Sequence, residues 1–131
     1  QLEAGTTASD FEFLPVDVNL GRCQRYFQVI ASGATPYFCN GVAQTATNAY
    51  GVLHLPVRMR TTPTGSVVSG TNYYRFISFD TDDNINSVNA NGQTDNIVNI
   101  GNSTEISQTQ GRAGLFTCLN AASFVACQAE L

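Results

Sequence analysis

Three groups of residues in this 131-residue chain have the types and spacing that could do chemistry. In LGRCQRYF, Leu20 to Phe27, a thiol stands between two guanidinium groups and beside two aromatic rings. A nucleophilic cysteine needs a cation or a helix N-terminus to lower its pKa, which Arg22 and Arg25 could supply to Cys23. It also needs a base, and the only histidine, His54, is distant in sequence. A lone Cys with a lone His makes no motif, so Cys23 is expected to be core packing where a helix turns into a strand. One histidine and cysteines without ligand spacing also argue against zinc.

The second group is FDTDDNINS, where Asp80, Asp82 and Asn84 alternate as at the opening of a calcium loop. The EF-hand pattern then fails, with Ile85 where Gly is required and Asn91 where a bidentate Glu is required. The segment reads as a solvated acidic turn. A non-EF calcium or glycan-bridging site at Asp80, Asp82 and Asn84 is the alternative, and no cofactor is otherwise expected.

The third group is the tyrosines. Tyr37 and Tyr50 lie at strand ends beside small residues, and Tyr73 and Tyr74 are adjacent, so in a strand one faces inward and one outward. Exposed Tyr beside Asn and Asp suits stacking on sugar rings and hydrogen bonding to their hydroxyls. The candidate ligand contacts are therefore Tyr37, Tyr50 and Tyr74 together with Asp82, Asp83, Asn84 and Asn91.

The elements that must position these groups are nearly all strands. Apolar runs rich in β-branched and aromatic residues are punctuated by Gly, Asn, Pro, Ser and Thr. The predicted strands are Gln24 to Ala31, Pro36 to Gln44, Tyr50 to Arg60, Gly65 to Val68, Tyr73 to Asp80, Asn96 to Ile100, Gly114 to Leu119 and Ser123 to Leu131. Leu53, Leu55, Val57 and Met59 alternate with His54, Pro56, Arg58 and Arg60, the period of a sheet with one buried face. One short helix is predicted from Val18 to Gln24, capped by Asp17. Thr81 to Gln110 is polar around one weak strand and reads as exposed loops, where recognition usually resides on a β scaffold. The expected fold is an all-β, antiparallel β-sandwich of jelly-roll type in one domain, residues 1–131, since parallel strands would need crossover helices.

Composition narrows the function. Charged residues make up 12%, about half the usual share, so the surface is neutral and polar. All six basic residues are Arg and the net charge is -4, which leaves no cationic footprint for nucleic acid or anionic membrane. No run approaches the roughly 18 apolar residues that span a bilayer. The chain begins at Gln1 without an initiator Met and is expected to be a fragment of a longer polypeptide or a processed product. Cys23, Cys39, Cys118 and Cys127 permit three complete pairings; free buried thiols are expected, with a Cys118–Cys127 bridge across a hairpin as the alternative. Asn102-Ser103-Thr104 is the one N-glycosylation sequon.

Three ordered segments carry a resemblance. QLEAGTTASDFEF followed by LGRCQRYF is similar to the QLE-G-A-FE and CQRYY pattern of C-terminal domains in bacteriophage tail fibres and related virion proteins, with Phe27 in place of the second Tyr. LPVRMRTTPTGSVV, Leu55 to Val68, resembles that family's P-V-MRATPTV segment, and the terminal ACQAEL resembles its DAEL ending, with Gln128 in place of the acid. The matching motif residues Cys23, Gln24, Arg25, Tyr26, Arg58, Arg60 and Pro63 are structural in the family. The resemblance implies a homotrimeric domain, the C-terminal part of a longer virion protein, displayed on the tail or capsid surface. Its implied role is non-enzymatic attachment to a host cell-surface glycan or protein. The alternatives are a decoration or fibre-assembly domain without a receptor, and the carbohydrate-binding module of a polysaccharide-active enzyme.

Overall fold

Among the residues that the computed structural model describes, 14–34, 37–79, 81–102 and 104–129, ten strands follow one helix. The helix α1 covers Val16–Gln24, and the strands are β1 Phe27–Ser32, β2 Cys39–Ala43, β3 Ala49–His54, β4 Thr64–Val68, β5 Tyr74–Ser78, β6 Asp82–Ile85, β7 Asn89–Gly92, β8 Ile97–Gly101, β9 Ala113–Cys118 and β10 Phe124–Gln128. Every pairing is antiparallel, and the strands form one continuous ladder in the order β1-β10-β4-β7-β8-β3-β2-β9-β5-β6. The all-β, antiparallel expectation holds.

The single sheet curls over its own core. The Tyr74 hydroxyl on β5 is shared between the carbonyls of Val68, 2.6 Å away at the end of β4, and Phe124, 3.1 Å away on β10. In the ladder order β5 is far from both of those strands, so only curvature can bring them together. On the other flank Gln28 Nε2 on β1 donates to the Val57 carbonyl at 2.5 Å, and Arg60 N donates to the Arg25 carbonyl at 2.8 Å. Tyr74, Phe76, Phe116, Ile85, Ile100, Val98 and Val125 are wholly buried inside the curl. The Phe76 and Phe116 rings meet at 5.0 Å and 59°. Each large side chain of this kind contributes about 1.5–3 kcal/mol on burial.

Three expectations change. The strand predicted from Tyr50 to Arg60 stops at His54, because Pro56 has no N–H for the ladder. The inward alternation nevertheless continues, with Leu55 and Met59 buried while their N–H groups donate to Asn96 and Asp95 carbonyls. The segment Thr81 to Gln110 contains three strands, β6, β7 and β8, rather than loops around one. Single inward apolar residues, Ile85, Val88, Ala90, Val98, Ile100 and Ile106, anchor it. The helix begins at Val16 behind Pro15, and Asp17 falls in its first turn without capping it; no side chain caps this helix.

Candidate functional site

Cross-strand partners in an antiparallel sheet share a face, so the register defines the outer surface of the sheet. One row runs Asn91 on β7, Asn99 on β8 and Val52 on β3, and continues with Asn40 on β2, Leu115 on β9 and Ile77 on β5. The next row runs Asn89, Gly101, Tyr50, Val42 and Ala113. Asn40, Val42, Tyr50, Val52, Asn89 and Asn91 are all exposed. Beneath them Gly41 and Gly51 pair across β2 and β3, and neither has room for a side chain. A Cβ on Gly51 would sit 2.1 Å from the Asn40 carbonyl oxygen, and one on Gly41 would sit 2.7 Å from the Phe116 ring.

Two open grooves meet on this face at Asn40 and Gly41. The first, about 680 Å³, is bordered by Asn40, Val42, Gln44, Tyr50, Val52 and Asn99. The second, about 520 Å³, is bordered by Ile77, Phe79, Ala113 and Leu115. Among the described residues neither is lined by a charged side chain. Tyr50 is 39% exposed, and a Cβ on Gly101 would lie 2.7 Å from its ring, so the ring lies over the Gly101 backbone on the sheet.

Among the described residues the asparagine amides on this face have no hydrogen-bond partners. Seven of the twelve asparagine side chains are hydrogen-bonded within the chain: Asn19, Asn48, Asn84, Asn86, Asn96, Asn102 and Asn120. Of the other five, Asn72 occupies a turn at φ 56°, while Asn40, Asn89, Asn91 and Asn99 all stand on the outer sheet face without a partner among the described residues.

The predicted ligand contacts are divided by the fold. Tyr50 and Asn91 share the outer face, on β3 and β7 with β8 between them, and of the two only Tyr50 borders a groove. Tyr37, 60% exposed, stands in the segment before β2 and does not line either groove. Tyr74 is 0% exposed and is a core residue, contrary to expectation. Alternation along β5 turns its ring inward, and burial pushes its phenol up to about 12, the bond to Phe124 opposing this. Asp82 and Asn84 project together from β6 onto Arg75, with contacts of 3.5 Å and 3.0 Å. Asp83 points to the opposite face and accepts from Ser107 N at 3.0 Å and Gln108 Nε2 at 2.7 Å. Asp82 and Asn84 therefore serve the hairpin of β5 and β6, and Asp83 ties β6 to the segment 107–108. Asp80 lies outside the described residues. Among the described residues no three His, Cys, Asp or Glu side chains converge where a metal could bind.

Parts of the three family-like segments converge on one corner. Arg60 N donates to Arg25 O, the Arg60 guanidinium lies 5.9 Å from the centre of the Tyr26 ring, and Ala129 N donates to Tyr26 O at 2.8 Å. Arg58 pairs with Asp95 at 3.0 Å, and Pro63 is buried with its carbonyl against Gly92. Gln24 closes α1 and is half-buried. Residues 1–13 and 130–131 of these segments lie outside the described residues, as does Ser103 of the sequon.

Cys23 is exposed, not core packing. The helix that carries it buries none of its residues, so the face shared by Leu20 and Cys23 stays in solvent. Neither the Cys23 nor the His54 side chain has a hydrogen-bond or ion-pair partner among the described residues, so no nucleophile–base couple is assembled. Cys39, Cys118 and Cys127 are buried free thiols, each pushed up to about 11 by burial. Cys118 and Cys127 lie on strands that are not neighbours, so no hairpin joins them. Asn102 is 1% exposed and its Oδ1 accepts from Ala49 N at 2.8 Å, which leaves the folded sequon no accessible amide.

Sequence reasoning missed Asn40, Gln44, Val42, Val52, Asn89 and Asn99. The available signal was the alternation itself: in AYGVLH and CNGVAQ the outward positions carry Tyr, Val and Asn instead of charged residues. No protein-family model, curated protein or solved structure matches this chain.

Proposed function

We propose that this is a non-enzymatic attachment domain of a phage virion, which contacts a host cell-surface glycan or protein through the outer face of β8, β3 and β2. The observation that carries the reading is the groove of about 680 Å³, uncharged among the described residues, in which an exposed tyrosine stands among amides that no described residue bonds. Neutral polar grooves with an aromatic wall suit hydroxylated or peptide-like ligands and offer phosphate or carboxylate no counter-charge. The resemblance in sequence supplies the virion context.

Homotrimeric assembly belongs to the same proposal. Helix α1 spans nine residues, buries none of them, and shows Val16, 83% exposed, beside exposed Val18 and Leu20. Isolated helices of that length are marginal in water, and packing normally supplies their stability. Exposed Tyr26, just before the neighbouring edge strand, and exposed Phe27 and Val29 on it extend this apolar surface. Labelled domain should decorate cells on which the parent virion grows, and excess unlabelled domain should slow virion adsorption. Absence of both effects would contradict attachment and favour a decoration role.

A further inference from the structure

We infer that the outer sheet face takes an uncharged linear oligosaccharide laid across the strands, with Tyr50 as its stacking ring and Asn40, Asn91 and Asn99 as its hydrogen-bonding row. The inference rests on the attachment reading and specifies the ligand of that same surface.

Asparagine is depleted in strands, because its amide competes locally with the backbone and packs poorly on a pleated surface. Here Asn40, Asn91 and Asn99 occupy outward strand positions in one cross-strand row, with Asn89 in the row beside it. Seven of the other asparagine side chains are bonded within the chain and Asn72 sits in a turn at positive φ, but these four have no hydrogen-bond partner among the described residues. Each amide offers two donors and a two-lone-pair acceptor, which matches sugar hydroxyls that both donate and accept.

The geometry sets the length of the ligand. From Asn91 to Asn40 the row crosses β7, β8, β3 and β2, three inter-strand steps of about 4.8 Å, or about 14 Å in all. One pyranose ring does not fill that span. The row continues through Leu115 and Ile77 into the second groove, where Phe79, 95% exposed, gives a second ring surface. A polymer crossing the strands from β7 meets the amides of Asn91 and Asn99, then the Tyr50 ring on β3, then the Asn40 amide on β2, and reaches Phe79 in the second groove.

The lining also selects against other partners. Without a charged side chain among the described residues of either lining, an anionic glycan would lose hydration and gain no counter-charge from them. A dry protein interface would strand the amides, at about 1–3 kcal/mol for each group left unsatisfied. A hydroxylated chain, itself hydrated, keeps them bonded.

The test uses the full chain on an array of linear hexasaccharides, with cellohexaose, maltohexaose and chitohexaose against hexamers derived from heparin and alginate. At least one uncharged hexamer should bind, with its monosaccharide at least tenfold weaker. Tyr50→Ala and Asn99→Ala should each reduce affinity about tenfold, the size expected for one lost stacking or hydrogen-bond contact, with unchanged melting temperature. Binding of anionic hexamers alone, equal binding of the monosaccharide, full affinity of both variants, or no binding anywhere on the array would overturn the inference. The attachment reading fails separately, by absent cell decoration. Decoration that Tyr50→Ala abolishes but that protease treatment of the cells also abolishes would keep attachment and assign the groove a protein receptor.

Discussion

The molecule leaves two stretches of apolar surface uncovered, and they differ in the hydrogen-bonding groups that stand among them. At the α1–β1 corner Val16, Leu20, Phe27 and Val29 are exposed, the polar side chains beside them are chiefly the charged ones of Asp17, Arg22 and Arg25, and the Arg60 guanidinium lies over Tyr26. On the outer face of β7, β8, β3 and β2, Tyr50, Val42 and Val52 are interleaved with four unpartnered amides. Bare apolar surface is stabilised by any dry covering, including another copy of the same chain. Amide-studded surface is stabilised only by a partner that returns the hydrogen bonds. The comparison separates assembly from recognition by chemistry rather than by position.

The largest expected effect is on assembly. The double variant Val16→Asp, Leu20→Asp places two charges on the uncovered helix and should convert a trimer fully to monomer in sedimentation velocity, while affinity at the groove per domain stays unchanged. A variant that remains trimeric would break the assignment of α1 to assembly. Gly51→Ala acts on the other region: its methyl group meets the Asn40 carbonyl oxygen at 2.1 Å, so β2 and β3 must separate. It should destabilise the fold by about 3 kcal/mol in urea titration and weaken groove binding, without changing the oligomer of the molecules that remain folded.

The core beneath both regions should fail in alkali and take both functions with it. The fold holds Cys39, Cys118 and Cys127 protonated up to about 11 against an ordinary 9.0, and Tyr74 up to about 12 against 10.0. Groups raised in this way contribute stability that is complete below pH 9 and is lost as pH rises from 9 toward 12. Each should account for on the order of 1 to 2 kcal/mol across that window, read as a falling urea midpoint. Replacing Cys127 with Ala should flatten the slope between pH 9 and 11, and an unchanged slope would contradict the assignment. The smallest effect belongs to the corner: Arg60→Ala removes the contact with Tyr26 and should lower stability by about 0.5 kcal/mol, leaving groove binding intact.

Much of the scaffold was legible in the sequence, because β-branched and aromatic runs with period-two alternation state a strand and its buried face together. Residues 49–60 show this best, since their inward alternation persists past Pro56 where the hydrogen-bond ladder ends. The candidate site was legible only in Tyr50 and Asn91. β6 and β7 were hidden because DDNI and NANG are poor strand formers, held by backbone pairing and one buried apolar residue each. Cys23 was misplaced because cysteine is usually buried, and nothing in LGRCQ states that the helix packs on nothing. Tyr74 was misplaced because adjacent tyrosines fix that one faces inward without saying which. The partner status of each asparagine depends on residues far away in sequence, as with Asn48 and Thr104 or Asn86 and Glu105, so it emerges only from the fold.

The central claim is that the outer sheet face, rather than the polar turns between Thr81 and Gln110, touches the cell. Its most direct test is decoration of host cells by three labelled proteins: the wild type, Tyr50→Ala with Asn99→Ala, and a variant with the turn residues Asn86, Ser87 and Thr94 replaced by Ala. Loss of decoration in the groove variant with retention in the turn variant is the predicted result. Retention in the groove variant and loss in the turn variant would contradict the account.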